Sequence, residues 1–140
     1  MRKVILIIGA ITVVAITTFG QYSSWGGKGE VSVNPVRVPS GGGVEIKYYV
    51  SESRGTGTAS FTCEVTGPGG VIHVAKVAST KWSGGEAWAS FIYPRDFGGN
   101  DSFKPSTNTR GTYQIQCYWY ISGYGVNGKI AAGGGAFIID

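Results

Sequence analysis

Residues 111–121, Gly-Thr-Tyr-Gln-Ile-Gln-Cys-Tyr-Trp-Tyr-Ile, carry the strongest strand pattern of the chain outside its apolar N-terminus. Two rows of side chains alternate along it: Tyr113, Ile115, Cys117 and Trp119 in one row, Gln114, Gln116, Tyr118 and Tyr120 in the other. A period of two residues is that of a half-buried strand. Turn-forming residues stand on both sides, in 106–110 and in the glycine-rich 123–128. The stretch therefore predicts a core strand whose second face is displayed.

The composition predicts an all-β protein. Glycine accounts for 24 of the 140 residues and aromatic residues for 13%, a mixture that suits short strands joined by many turns. The patterns typical of helices are nearly absent after residue 20. A β-domain of about 110–120 residues can bury most of its apolar surface, so one core is sufficient.

The net charge of +4 is spread along the chain. Arg2 and Lys3 belong to the N-terminal apolar segment, and without them 10 basic and 8 acidic side chains leave a net charge of +2. The remaining basic residues are Lys28, Arg37, Lys47, Arg54, Lys76, Lys81, Arg95, Lys104, Arg110 and Lys129. Scattered cations indicate a solvated surface, and we expect no nucleic-acid partner.

Residues 1–20 form an export or membrane segment, predicted as one apolar helix. Arg2 and Lys3 precede a charge-free apolar run from Val4 to Phe19. Two interpretations stay open: a signal peptide cleaved before Gln21, or a membrane anchor, since a spanning helix takes about 17–25 residues. In both, the basic end stays cytoplasmic and the domain lies outside, secreted or anchored by a single pass.

The rest of the chain divides into a flexible tether, 21–29, and a β-domain, 30–140. The predicted strands are 30–38, broken at Pro35, then 44–50, 59–66, 71–78, 86–93, 111–121 and 129–140. We expect a turn at 79–85 and a bulge at Gly133–Gly135. About seven short strands at regular spacing predict a two-sheet sandwich.

The order of these patterns resembles that of immunoglobulin-like domains of the fibronectin type III and macroglobulin-related kind, found in prokaryotic, including archaeal, surface proteins. The resemblance covers 30–140 and is carried by VSVNPVRVPSGGGVEIKYYV, FTCEVTGPGG, a strand ending IYPRDF, and GTYQIQCYWY. It implies an immunoglobulin-like sandwich. The chain departs from antibody domains, in which a Tyr lies two residues before the second Cys, because Tyr113 lies four residues before Cys117.

Cys63 and Cys117 are the two cysteines, and both fall on core-facing rows. Export to an oxidising space predicts a disulfide between them. If 30–38 is the first strand of the sandwich, the two cysteines are neighbours on one sheet. If that segment lies outside the sandwich, they bridge the two sheets. We favour the first arrangement.

The residues offer no evident catalytic or metal chemistry. His73, the one histidine, is flanked by Ile72 and Val74 and is interpreted as a surface residue. Two cysteines and one histidine are too few ligands for a structural zinc site. Asp96 and Asp101 flank a glycine-rich loop, for which ordinary loop polarity is favoured over calcium. We therefore expect no enzyme, no catalytic residue, no metal and no cofactor.

Four tyrosines form the predicted interaction surface, for a protein partner or for self-association: Tyr49, Tyr118, Tyr120 and Tyr124. The alternative is that these rings stabilise the sheet by cross-strand pairing.

Asn100 begins the sequon Asn-Asp-Ser in the longest polar loop, which predicts a glycan at Asn100 in a host that glycosylates exported proteins.

These features together favour a non-enzymatic structural or protein-interaction module outside the cytoplasm, at the cell envelope. One alternative is a subunit of an extracellular filament, pilin-like or built by strand donation. A second is a protein similar to the stators of archaeal motility filaments. A third is a carbohydrate-binding surface domain, which depends on the tyrosines alone.

Overall fold

The computed structural model describes residues 21–22, 28–53, 55–75, 78–98, 104–122 and 130–140. Within these ranges the chain forms eleven strands and no helix, so no described helix is able to cross a membrane. The strands are β1 (Gln21–Tyr22), β2 (Lys28–Asn34), β3 (Arg37–Val38), β4 (Val44–Glu52), β5 (Gly57–Thr66), β6 (Ile72–Ala75), β7 (Ala78–Trp82), β8 (Gly85–Tyr93), β9 (Phe97–Gly98), β10 (Gly111–Ser122) and β11 (Ile130–Ile139). The predicted N-terminal helix lies outside the described residues.

The strands form two sheets. The first sheet has the order β1-β2-β4-β8, and the second has the order β3-β11-β10-β5-β6-β9, with β7 also paired to β5. All pairs are antiparallel except β3 with β11. The chain passes from the first sheet to the second between β2 and β3, at Pro35, where the pattern predicts a break.

The two sheets pack on one core built from their inward rows. On β4, Val44, Ile46, Tyr48 and Val50 are all 0% exposed, and on β10 the predicted row from Tyr113 to Trp119 is buried. Tyr48 of the first sheet meets Phe61 of the second edge-on, with ring centroids 6.0 Å apart. Burying such a side chain contributes about 1.5–3 kcal/mol. The prediction of an all-β, two-sheet protein with β10 as a core strand is confirmed.

Cys63 on β5 lies directly opposite Cys117 on β10, in the one-sheet arrangement. Their sulfur atoms are joined at 2.25 Å and their Cα atoms are 4.2 Å apart. Both residues are 0% exposed. Because β5 and β10 are neighbours at the centre of the second sheet, the disulfide cross-links the two central strands of that sheet.

The structure differs from the predicted strand count of about seven. The expected turn at 79–85 contains β7, because the ten-residue β5 offers a pairing edge to Ala78–Trp82 and the buried Trp82 side chain anchors that pairing. Part of the predicted tether, β1, pairs with β2. The bulge opposite Cys117 falls at 132–133, where a Cβ on Gly133 would lie 3.0 Å from a Val31 methyl.

Candidate functional site

The candidate site lies at one end of the sandwich, where the segment 104–110 closes over the core. Thr107, which is 2% exposed, fixes this segment to the turn between β3 and β4. Its hydroxyl donates to the Gly42 carbonyl at 2.8 Å, and its own carbonyl accepts the Gly41 N–H at 3.1 Å. The turn at 67–71 lies at the same end, where a Cβ on Gly111 would lie 2.8 Å from Pro68. The turn at 94–96 also lies there, since it follows Tyr93, whose hydroxyl donates to the Ser106 carbonyl. Segments distant in sequence are thus held together in space.

A cavity of about 300 Å³ opens between these segments. Its lining residues are Gly67, Pro68, Gly69, Val71, His73, Tyr93, Lys104, Ser106, Thr109 and Tyr113. Two tyrosine rings form its inner wall, and loop backbone and one lysine form its rim. A pocket that combines apolar walls with a few convergent polar groups is the usual form of a ligand site.

The tyrosine hydroxyls in this cavity are held by backbone carbonyls. The Tyr93 hydroxyl donates to the Ser106 carbonyl at 3.3 Å, and the Tyr113 hydroxyl donates to the Thr109 carbonyl at 2.7 Å. Burial raises the pKa of Tyr93 to about 12, with a smaller contribution from Tyr113, and burial also raises the pKa of Tyr113. Both phenols are therefore neutral at physiological pH and act as fixed hydrogen-bonding groups.

His73 corrects the prediction of a surface histidine, since it is only 7% exposed. On β6 the inward row is His73 and Ala75, while Ile72 and Val74 point outward at 54% and 40% exposure. The inward position brings the His73 Nδ1 to 3.4 Å from the Tyr93 hydroxyl. The Tyr93 hydroxyl gives the His73 ring a polar partner inside the fold, so the row of β6 that contains His73 can be the buried one.

Lys104 lines the cavity, and Arg110 follows the lining residue Thr109. Four further charged residues lie at the same end of the sandwich: Arg37, Arg95, Asp96 and Asp140. Arg37 is paired with Asp140 and Arg95 with Asp96. Lys104 and Arg110 are exposed and have no ion-pair partner among the described residues. Lys104 and Arg110 are therefore two exposed cations at this end that are available to an anion.

The predicted tyrosine surface is divided between opposite sides of the protein. Tyr118 and Tyr120 lie on the outer face of the second sheet, and Tyr120 is 36% exposed. Tyr49 lies on the outer face of the first sheet, where its hydroxyl donates to Glu86. The structure does not bring Tyr49 to the surface of the other two, and Tyr124 lies outside the described residues. Asn100, the predicted glycosylation site, also lies outside them.

Trp88 is a surface feature that the sequence interpretation did not single out. It is 65% exposed and packs against Tyr49 with ring centroids 4.7 Å apart. The alternation on β8 indicates this exposure, since Ala89, Phe91 and Tyr93 form the buried row and Trp88 belongs to the outward row.

Among the described residues, no three His, Cys, Asp or Glu side chains are grouped so as to hold a metal ion.

Comparison with known proteins finds no protein family and no curated protein that matches the chain. Among solved structures, the chain is similar to Pseudomonas fluorescens alkylpurine DNA glycosylase AlkC bound to DNA containing an abasic site analog, with a TM-score of 0.51 and 11% identity. The match covers 76% of this chain and 28% of the glycosylase chain. At this identity the likeness shows a shared fold.

Three sequence-based expectations are corrected by this comparison. The sequence favoured a non-enzymatic envelope module, with filament, stator and carbohydrate-binding alternatives, and it argued against an enzyme and against a nucleic-acid partner. The similar structure is that of an enzyme bound to DNA, which points away from each of those expectations. We do not retain them.

Proposed function

We propose that this chain is a β-sandwich module that binds nucleic acid by its phosphate backbone at the cavity end. The observation that carries the proposal is a pair of exposed cations without ion-pair partners among the described residues: Lys104, which lines the cavity, and Arg110, which follows the lining residue Thr109 in the chain. Lys and Arg side chains supply most phosphate contacts in protein complexes with nucleic acid. A likeness in fold to part of a DNA-bound glycosylase supports the same proposal.

The cavity adds hydrogen-bonding groups beside these cations. The Gly67–Gly70 turn presents backbone to solvent, and its Gly69 and Gly70 carry no neighbouring atom within 4 Å of an added Cβ. The Gly67 and Gly70 N–H groups donate to the Val71 and Gly67 carbonyls within the turn, and Pro68 has no N–H, which leaves the Gly69 N–H as the one backbone donor of this described turn for a phosphate oxygen. The proposed site therefore combines two exposed cations with one backbone donor beside the cavity.

The binding test uses fluorescence anisotropy with labelled duplex and single-stranded oligonucleotides. We expect the double variant Lys104→Ala/Arg110→Ala to bind about tenfold more weakly, because two exposed ion pairs of about 0.7 kcal/mol each sum to about 1.4 kcal/mol, which is a factor of ten. The matched control is Lys47→Ala/Lys81→Ala. Both of these lysines are exposed, and they lie on β4 and β7, away from the cavity.

The control decides between a site and a general charge effect. An equal loss of affinity in both double variants would mean that net charge alone attracts the oligonucleotide. Equal binding of a sulfated polysaccharide would mean that the surface accepts any polyanion. Either result, or no binding at all, contradicts the proposal.

We also infer that the sandwich is immunoglobulin-like and that residues 1–20 export or anchor it, which puts the nucleic acid outside the cytoplasm. Support comes from the order of strand patterns over 30–140 and from the basic and apolar character of residues 1–20. Protease treatment of intact cells tests the location. Digestion of the domain supports it, and protection until lysis contradicts it.

A further inference from the structure

β8 lies at the edge of the first sheet, with β4 as its one strand partner in the described part of the chain. The register between them is continuous, from Val44 opposite Tyr93 to Glu52 opposite Gly85. In an antiparallel pair, successive residues direct their backbone N–H and C=O alternately toward the partner and away from it. Once one residue of β8 is known to direct its backbone groups away from β4, every second residue from it does the same.

Ile92 identifies that side. Its N–H donates to the Asp96 carboxylate at 2.7 Å, and its carbonyl accepts the Asp96 N–H at 2.7 Å. Both groups of Ile92 thus face away from β4 and are already bonded. By the same alternation, Glu86, Trp88 and Ser90 direct three N–H and three C=O groups outward, and no backbone partner for these six groups is found among the described residues.

An unpaired strand edge of this kind is a template for another strand. Here it coincides with the most exposed of the large apolar side chains recorded in the described ranges, Trp88 at 65%. The Trp88 ring is already positioned by its contact with Tyr49, whose hydroxyl donates to Glu86. The edge therefore offers both hydrogen-bonding groups and an ordered apolar surface to the same partner.

We propose that this edge pairs with β8 of a second copy of the chain, antiparallel, across a two-fold axis at Trp88. In that register Trp88 faces Trp88 of the second copy and Glu86 faces its Ser90. Each of these hydrogen-bonded pairs exchanges two bonds, so all six outward groups are used. The two tryptophans then lie side by side on the outer face, each against its own Tyr49.

The other centres of symmetry are less favourable. An axis at Glu86 places two carboxylates opposite each other, and like charges in that position are destabilising. An axis at Ser90 requires the backbone groups of Ile92, which Asp96 already occupies. Axes at Ala87 and Ala89 use only four of the six outward groups of each copy, because the third pair would need Gly84, which lies outside β8, or Ile92. The axis at Trp88 is the one that uses all six. The proposal is independent of nucleic-acid binding, which involves the loops at the cavity end.

Cysteine cross-linking of the full chain tests the interface and its register together. Hydrogen-bonded residues on antiparallel strands have Cα atoms about 5.5 Å apart, which a disulfide can span. We expect a mixture of Glu86→Cys chains and Ser90→Cys chains to give covalent dimers under mild oxidation, while each variant alone stays at background. Both variants retain Trp88, and the native cysteines are buried.

Two further variants complete the test. Adding Trp88→Lys to both chains should return the mixture to background, because two lysines then face each other. Tyr120→Cys, on the outer face of the other sheet, should also stay at background. A mixed yield no higher than that of the single variants or of Tyr120→Cys, or a yield unchanged by Trp88→Lys, would overturn the proposal.

Discussion

Replacing both cysteines, Cys63→Ala/Cys117→Ala, should cost about 4 kcal/mol of unfolding free energy. The two residues are 54 positions apart, and closing a loop of that length removes about 14 cal/mol/K of chain entropy from the unfolded state. At room temperature this corresponds to about 4 kcal/mol. Both side chains are fully buried in the second sheet, so the variant also loses some packing and the estimate is a lower one.

Urea unfolding measures this loss. With a slope of about 2 kcal/mol/M, the midpoint should fall by about 2 M. The reduced parent protein is the matched control, because it loses the cross-link without any change of sequence, and its midpoint should fall nearly as far. Intact-mass measurement after alkylation of the unfolded, unreduced protein gives the oxidation state. Two alkylated thiols there, or a midpoint that reduction leaves unchanged, would refute the reasoning.

Three other substitutions test the core and the cavity. Tyr48→Phe should leave stability unchanged or raise it by up to about 1 kcal/mol in thermal unfolding, because the buried Tyr48 hydroxyl has no hydrogen-bond partner among the described residues. A loss of stability of more than about 1 kcal/mol would show that this hydroxyl is hydrogen-bonded in the folded protein. Trp119→Ala should cost about 3–5 kcal/mol through lost core volume, whereas Tyr120→Ala, one residue on and outward, should cost far less; similar losses would mean that the alternation on β10 is wrong. Tyr93→Phe should reduce the loss of unfolding free energy at alkaline pH. The pKa of Tyr93 is about 12 in the folded protein and about 10 in the unfolded chain. The stability that the neutral Tyr93 contributes is therefore complete below about pH 10 and is lost as the pH rises toward 12. A parent and a variant with the same alkaline profile would contradict that shift.

Local periodicity was sufficient to predict the core strands. On β4 and β10 one row is almost entirely apolar, so the buried side is determined by residues two positions apart. The same criterion fails on β6, where Ile72 and Val74 are more apolar than His73 and Ala75. On β6 the row of His73 and Ala75 is buried although it is the less apolar one. Its polar member, His73, has the Tyr93 hydroxyl as a partner, which lies twenty residues away in the chain.

The candidate site could not be predicted in this way because its parts meet only through long-range pairing. Arg37, Arg95, Lys104 and Arg110 look scattered in sequence. The pairings of β3 with β11, β11 with β10 and β4 with β8 bring Arg37, Arg110 and Arg95 to one end of the sandwich. The hydrogen bonds of Thr107 hold the segment of Lys104 at the same end. The free edge of β8 depends likewise on which strands are neighbours, which no local pattern specifies.

The most direct test of nucleic-acid binding at the cavity end is the salt dependence of the affinity for duplex DNA. Each neutralised phosphate contributes about −0.9 to the slope of log K against log salt, so Lys104→Ala/Arg110→Ala should reduce its magnitude by about 1.8, measured between about 50 and about 200 mM. The control Lys47→Ala/Lys81→Ala should keep the parent slope. Parallel slopes for the parent and the Lys104/Arg110 variant would show that these two side chains do not contact phosphate, and would contradict the proposed function.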